Sequence, residues 1–578
     1  MKYNIDMTNL KICQNCKNRF IIESDDFSFY EKMKIPIPTF CSKCRLARRL
    51  AWRNERTLYH RNCDLCKNSM ISMYKTNTLF PVYCHECWWS DKWSPLDYGK
   101  DYDFSKSFFE QFKSLQNIIP KPALYSSSNT NSEYCNHTAH MKDSYLVFGS
   151  WFSENCNYGQ TLSDCKDCWD SIFLKNCEFC YSSVDCTKCN QINLSVECTN
   201  CINSAFLYDC RNCQDCIFSY NLRNKNYCVF NEQVSKDQYI KIKNELFNSY
   251  ESLDKNIKIF KETLKKKVLH KFMAGEQNYN VSGNFIYNCK NVHNSFLTYE
   301  GENNKYMIRG FKQKDSMDTF GVNGGDLAYD SNNVDFSSYC LFSVNGENNF
   351  NTEYVADSFN VKNIFGCISL RKKEYCILNK QYRKEEYLEL VTKIKKQMID
   401  IPFIDSLGRE YQYGEFFPIE NSPFCYNETL AQEYLPITKE EASKNKYPWF
   451  DTEDKNYIPT KKWNELPDTI KEVDDSILSE TILCEAWDKD KNKAQEHKCT
   501  MAFKITQDEL NMYRRFNIPL PRKCPNTRNY ELFESRNPAE LWHRKCMKEG
   551  CNNEFETSYS PDRPEIVYCE NCYKQEIV

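Results

Sequence analysis

The chain has 578 residues, 76 Lys and Arg against 79 Asp and Glu for a formal net charge of −3, and 34 cysteines. That length suffices for several cores, and the near-neutral charge excludes a global pull toward nucleic acid or an anionic membrane, so such contacts would need local patches. Aromatic residues at 15% argue against disorder, and no apolar run is long enough to span a bilayer.

In chain order, the opening MKYNIDMTNLKIC shows no apolar leader run, so a reducing cytoplasm, with the cysteines as thiols or metal thiolates, is expected. Residues 1–98 read as a double zinc-ribbon module. Cys13/Cys16, Cys41/Cys44, Cys63/Cys66 and Cys84/Cys87 are four C-x-x-C pairs, and two such knuckles supply the four thiolates of a tetrahedral zinc. Pairing neighbours gives one site of Cys13, Cys16, Cys41 and Cys44 and another of Cys63, Cys66, Cys84 and Cys87; a cross-braced pairing stays open. Full coordination leaves no position for catalytic water. Between the sites runs CRLARRLAWRNERTLYHRNC. Arginines with an aromatic to stack, beside a knuckle, suit phosphate and base contact, so Arg45, Arg48, Arg49, Trp52, Arg53 and Arg56 are the candidate nucleic-acid contacts. The competing reading is a solvated face paired with Glu23, Asp25 and Asp26.

A helical linker (99–122) precedes a cysteine-dense stretch, 123–231. Cys135, Cys156, Cys177 and Cys198 are 21 residues apart, as are Cys168, Cys189 and Cys210, and Cys165 and Cys186; Phe152, Phe173 and Leu194 keep the same beat. A fixed period near 21, with short β-prone runs and Asn-rich turns, predicts a parallel β-helix whose equivalent residues stack about 4.8 Å apart. Thiols would fill its narrow interior as small hydrophobes. Metal ligation and disulfides between coils are the alternatives, though a row of parallel Cβ vectors suits neither. His137 and His140, beside Cys135, suit packing better than a metal site.

Residues 232–275 are helical, with the basic run from Lys261 to Lys271 as a solvated helix end. A second solenoid stretch, 276–380, has the looser spacing of Phe296, Phe320, Leu341 and Phe365. KNYCVFNEQVSKDQY, from Lys225, recurs at an offset of 148 as KEYCILNKQYRKEEY, and each copy runs into a charged helix, the second at 381–400. Such helices would cap or brace a solenoid end. Asp315, Asp318, Asp326, Asp330 and Asp335 suit turns better than catalysis. Residues 401–478 form an irregular tether.

Residues 479–578 repeat the first module at an offset of 483: Tyr30 matches Tyr513, Cys41 matches Cys524, Arg53 matches Arg536, and LYHRNC matches LWHRKC. The second site is kept as Cys546, Cys551, Cys569 and Cys572. The first is damaged, with Thr527 at the place of Cys44 and no direct counterpart of Cys13. Cys484, His497, Cys499 and Cys524 are a candidate replacement site, because imidazole can replace thiolate; a packed remnant is the alternative. The expected zinc count is three, with a fourth in question.

Phe20-Ile-Ile, Phe29-Tyr30, Pro36 and Cys41-Ser-Lys-Cys44-Arg45 together resemble the probable zinc-ribbon domain of many small bacterial proteins. With YCHECWWSDKW, the cysteine-dense middle and ETSYSPDRPEIVYCENCY, nearly the whole chain resembles uncharacterised cysteine-rich zinc-ribbon proteins of candidate-phylum bacteria. That resemblance implies zinc binding and no particular activity; Thr527 and the insertion before Cys499 depart from it. No P-loop, GxSxG, HExxH or dinucleotide fingerprint appears, so no enzyme is expected. The expectation is a mainly β, multidomain, cytoplasmic protein, with zinc ribbons at both ends flanking a cysteine-rich parallel β-helix with helical caps. Its ribbons, held apart by the solenoid, would bind RNA, DNA or a ribonucleoprotein. The competing function is a scaffold that docks a protein on the solenoid face, its zinc purely structural.

Overall fold

The computed structural model describes residues 9–451 and 457–577; residues 1–8 of the stretch read for a leader lie outside them. Strand exceeds helix, 32% against 27%. Among the described residues no helix is long and apolar enough to cross a membrane.

Both terminal modules are built from short antiparallel pairs. Leu10–Ile12 pairs with Arg19–Ile21 and Tyr59–Asn62 with Ser69–Ser72; at the other end Ile482–Leu483 pairs with Ala502–Phe503 and Trp542–Lys545 with Glu554–Thr557. The third cysteine of a set then caps a helix: Cys41 caps Ser42–Leu50, Cys84 caps His85–Trp89 and Cys524 caps Pro525–Glu534. Lys34 and Asn517, equivalent positions of the two modules, are both left-handed at the ends of helices Ser24–Met33 and Gln507–Phe516. The extra length between Cys484 and Cys499 folds as two short helices, Glu485–Lys489 and Lys491–Glu496.

Between the modules, strands pair in parallel with a register of 12. Ile202 pairs with Gln214 and Gln214 with Asn226; later, Ser338 pairs with Phe350, Phe350 with Lys362 and Lys362 with Glu374. The expected 21-residue beat is therefore not the rung. The backbone repeats every three residues, with left-handed φ at Asn155, Tyr158, Thr161, Asp164, Asp167 and Asp170 and onward. Any multiple of three keeps a residue in the same inward or outward phase, so 21 and 12 look alike in burial pattern, and hydrogen bonding selects 12. The thiol columns regroup as Cys156, Cys168 and Cys180; Cys165, Cys177, Cys189, Cys201 and Cys213; and Cys186, Cys198 and Cys210, with Cys216 directly opposite Cys228. Asn and Asp recur at the left-handed positions because their short side chains tolerate that conformation. Their amides also bond from rung to rung, as Asn200 to Asn212 (3.1 Å) and Asn212 to Asn224 (3.0 Å).

The triplet also explains the cysteines. Two of its N–H groups bond between rungs, as Glu154 to the Cys165 carbonyl and Asn155 to the Lys142 carbonyl, both 2.9 Å. The third points inward and finds a side chain one rung earlier. Cys156 donates to Ser144 Oγ (3.2 Å), Cys165 to Ser153 Oγ (3.1 Å), Cys198 to Cys186 Sγ (3.5 Å) and Cys201 to Cys189 Sγ (3.4 Å). A buried N–H left without a partner costs about 1–3 kcal/mol, so the interior favours a side chain that is small and can accept. Serine and cysteine satisfy both demands. The thiols in turn donate to nearby carbonyls, as Cys177 to Lys175 (3.4 Å), and none is disulfide-bonded.

Both stretches end alike. Asn226–Val229 turns back antiparallel onto Glu232–Gln233, and Glu374–Ile377 onto Lys380–Gln381. Asn231 bonds the N–H and C=O of Tyr220, and Asn379 those of Ile368, at 2.8 to 2.9 Å. Helices Lys236–Leu246 and Lys384–Asp400 follow; Tyr239 meets Tyr227 and Tyr387 meets Tyr375 at the same 5.7 Å. The terminal modules lie alongside the strands, with Ser42–Leu50 on Glu302–Asp335 and Pro525–Glu534 on Ile172–Lys175. They are not held apart, because Lys43 of one reaches Glu540 of the other at 3.3 Å.

Candidate metal centres and the arginine helix

Among the described residues, three thiol tetrads converge with their sulfurs within 4.8 Å of one another: Cys13, Cys16, Cys41 and Cys44; Cys63, Cys66, Cys84 and Cys87; and Cys546, Cys551, Cys569 and Cys572. Pairing is between neighbours, so cross-bracing is excluded. Cys16 and Cys41 lie 3.7 Å apart, Cys66 and Cys84 3.9 Å, and Cys551 and Cys569 3.9 Å. Four thiolates about 2.3 Å from a metal form a tetrahedron with edges of about 3.8 Å. The thiols thus stand at metal-binding separation.

An outer shell supports them. The first sulfur of each set accepts the backbone N–H of the third cysteine: Cys13 from Cys41, Cys63 from Cys84 and Cys546 from Cys569, all at 3.3 Å. Asn15 donates to Cys44 (3.3 Å) and Asn553 to Cys569 (3.4 Å). Such donors favour thiolate and orient it toward a metal. Burial pushes Cys63 up, but the N–H groups of Cys84, Cys66 and Leu65 outweigh it and bring the thiol down to about 7.

The fourth centre differs from expectation. Cys484, Cys499 and Cys524 converge, with Cys499 and Cys524 3.6 Å apart. Cys524 N–H donates to Cys484 Sγ at 3.2 Å, the bond that Cys41 makes to Cys13. Cys484 is therefore the counterpart of Cys13, displaced in the alignment by the inserted helices. Thr527 takes the corner of Cys44, its hydroxyl 3.3 Å from Cys524 Sγ. His497 does not join: its Nε2 faces Glu534 at 3.0 Å and its ring stacks on Tyr530. His137 and His140 stack on Tyr125 and Phe152 and join no metal group.

The arginine helix faces inward. Arg45, Arg48 and Arg49 are 2%, 2% and 1% exposed, Trp52 3% and Arg53 5%. Arg45 pairs with Asp318 (2.8 Å), Arg49 with Asp318 (3.1 Å) and Asp330 (2.7 Å), and Arg48 with Asp330 (3.4 Å) and Glu415 (2.7 Å). Arg53 pairs with Glu55 at 2.7 Å, Trp52 packs on Phe417, and the Arg56 guanidinium lies 4.7 Å from the centre of the Phe148 ring. Except for Arg56, which is half-buried, these side chains face the protein interior. The acids expected nearby are not their partners: Glu23 and Asp26 hold Lys305. Asp318 and Asp330, read as turn formers, are the counter-ions. Burial would raise Glu55, but the Arg309 and Arg53 guanidiniums outweigh it and hold the carboxylate at about 2.

Here the two internal repeats meet. Arg528, the counterpart of Arg45 in the module repeat, pairs at 3.0 Å with Asp170, the counterpart of Asp318 in the strand repeat. Arg45 sits over Tyr306 at 5.5 Å and Arg528 over Tyr158 at 5.1 Å. Tyr30 meets Tyr329 edge-on at 5.9 Å, as Tyr513 meets Tyr181 at 6.3 Å. The N-terminal module thus docks on the second strand stretch as the C-terminal module docks on the first. No family model matches the chain, and no curated protein matches it.

Proposed function

We propose that the protein is a zinc-stapled β-solenoid that presents its wall to a protein partner, with structural zinc sites. The solenoid reading rests on the register: a chain that pairs with itself in parallel at an offset of 12 over most of its strands, triplet after triplet, winds as a coil. Zinc rests on three sets of four thiolates at tetrahedral separation, closed to a further ligand. A reducing compartment suits columns of free thiols.

The observation that carries the scaffold reading is the inward-facing arginine helix, which occupies the most basic element of the N-terminal module with internal counter-ions. The outer wall offers Trp151 and Phe152, 36% and 57% exposed, in the same run as the Lys142–Glu154 ion pair. An aromatic patch rimmed by mixed charge suits a protein surface. The test is low-salt affinity purification of the full chain with a nuclease control. The expected result is a defined protein, lost in Phe152→Asp, and no nucleic acid. RNA or DNA that copurifies and leaves with rising salt, as counterion release requires, would overturn the reading.

A further inference from the structure

We infer that the C-terminal module holds a fourth, exchangeable zinc on Cys484, Cys499 and Cys524, with the Thr527 hydroxyl in the place of the fourth thiolate. The inference rests on the zinc reading of the three tetrads and adds a site of different chemistry. The triad keeps what the intact sites have. Its sulfurs lie within 4.8 Å of one another, the Cys499–Cys524 separation of 3.6 Å is close to a tetrahedral edge, and the N–H···S bond from Cys524 to Cys484 is present. An unrelated packing of three thiols has no reason to reproduce that frame, least of all across an insertion of two helices. Asn526 ties the frame further by donating to the Lys498 carbonyl at 2.9 Å.

What differs is the last corner. Thr527 is 0% exposed and its hydroxyl faces Cys524 Sγ, so the fourth donor is a neutral oxygen on the protein. Three thiolates leave one negative charge on a bound Zn2+, where four leave two, and a neutral hydroxyl is a weaker donor to a thiophilic ion than a thiolate. The ion is held, but less firmly than in the tetrads. Cys524 also caps the helix that carries Arg528 to Asp170, so occupancy of this site bears on how the C-terminal module docks.

The experiment is zinc release from the full chain, as purified, to a chromogenic chelator, together with total zinc content. Four zinc ions are expected, one leaving about tenfold or more faster than the other three. Thr527→Cys should slow that phase to match the others, Cys524→Ser should remove one zinc alone, and His497→Ala should change neither number nor rate. If Cys524→Ser does not fold, Thr527→Cys still decides, because it adds a ligand. Three zinc ions in the wild type even after zinc addition, or four leaving at one rate regardless of Thr527→Cys, would overturn the inference. A protein with no zinc anywhere would overturn the zinc reading itself, and this inference with it.

Discussion

Arg49 sits between two carboxylates, Asp318 at 3.1 Å and Asp330 at 2.7 Å, with all three side chains nearly sealed from solvent. Removing one partner of such a buried set leaves an uncompensated charge, which destabilises by about 3–5 kcal/mol. Arg49→Ala should show a loss of that size in chemical denaturation, and Arg49→Met with Asp330→Leu should lose less than the single change. A single-variant loss no larger than about 0.5 kcal/mol, as at a surface site, would show that the pairs carry no structural role. Glu55 gives a pH-dependent companion. Its folded-state pKa is depressed from 4.5 to about 2, so its contribution is fully present above about 4.5 and fades as pH falls toward 2. The deficit of Glu55→Gln relative to wild type should therefore be equal at pH 7 and pH 5.5; a deficit that halves between those values would contradict the assignment. The Arg45 and Arg49 pairings were not legible from composition, because their counter-ions lie on a strand far along the chain, beyond the whole first strand stretch.

At the scale of the element, the inward N–H of each triplet makes the interior acceptor the quantity that matters. Cys186 accepts from Cys198 N–H; Cys186→Ser keeps an acceptor, and Cys186→Val keeps volume but removes it. Denaturation should place the valine variant about 1–3 kcal/mol below the serine variant. Valine equal to serine would mean that thiols are selected for volume alone. The thiol-rich interior was legible in the sequence, since each of the fourteen cysteines from Cys135 to Cys228 falls on one triplet phase. The rung length was not, because 12 and 21 share that phase. The signal that separates them is polar: Asn200, Asn212 and Asn224 recur at the shorter of the two spacings and bond one another. The C-x-x-C knuckles were legible for the opposite reason, as their geometry is local. His497 was misplaced because donor chemistry suggested a ligand, whereas Glu534 and Tyr530 hold the ring elsewhere.

For the whole molecule, both repeats were visible as constant offsets in the sequence, but repeats say which residues are alike, not which ones touch. Folding joins them: Arg45 meets Asp318 and Arg528 meets Asp170, so each module clamps the strand stretch farther from it in sequence. Cys41 and Cys524 cap the clamping helices, which links metal binding to docking. Metal bound by these thiol sets would hold the helices against the strands. Hydrogen exchange of the full chain, followed with and without a zinc chelator under reducing conditions, tests this coupling. Chelation should strip protection from the helix Ser42–Leu50 and, with it, from the strand around Asp318 and Asp330. Protection at that strand unchanged after complete metal loss would contradict that coupling.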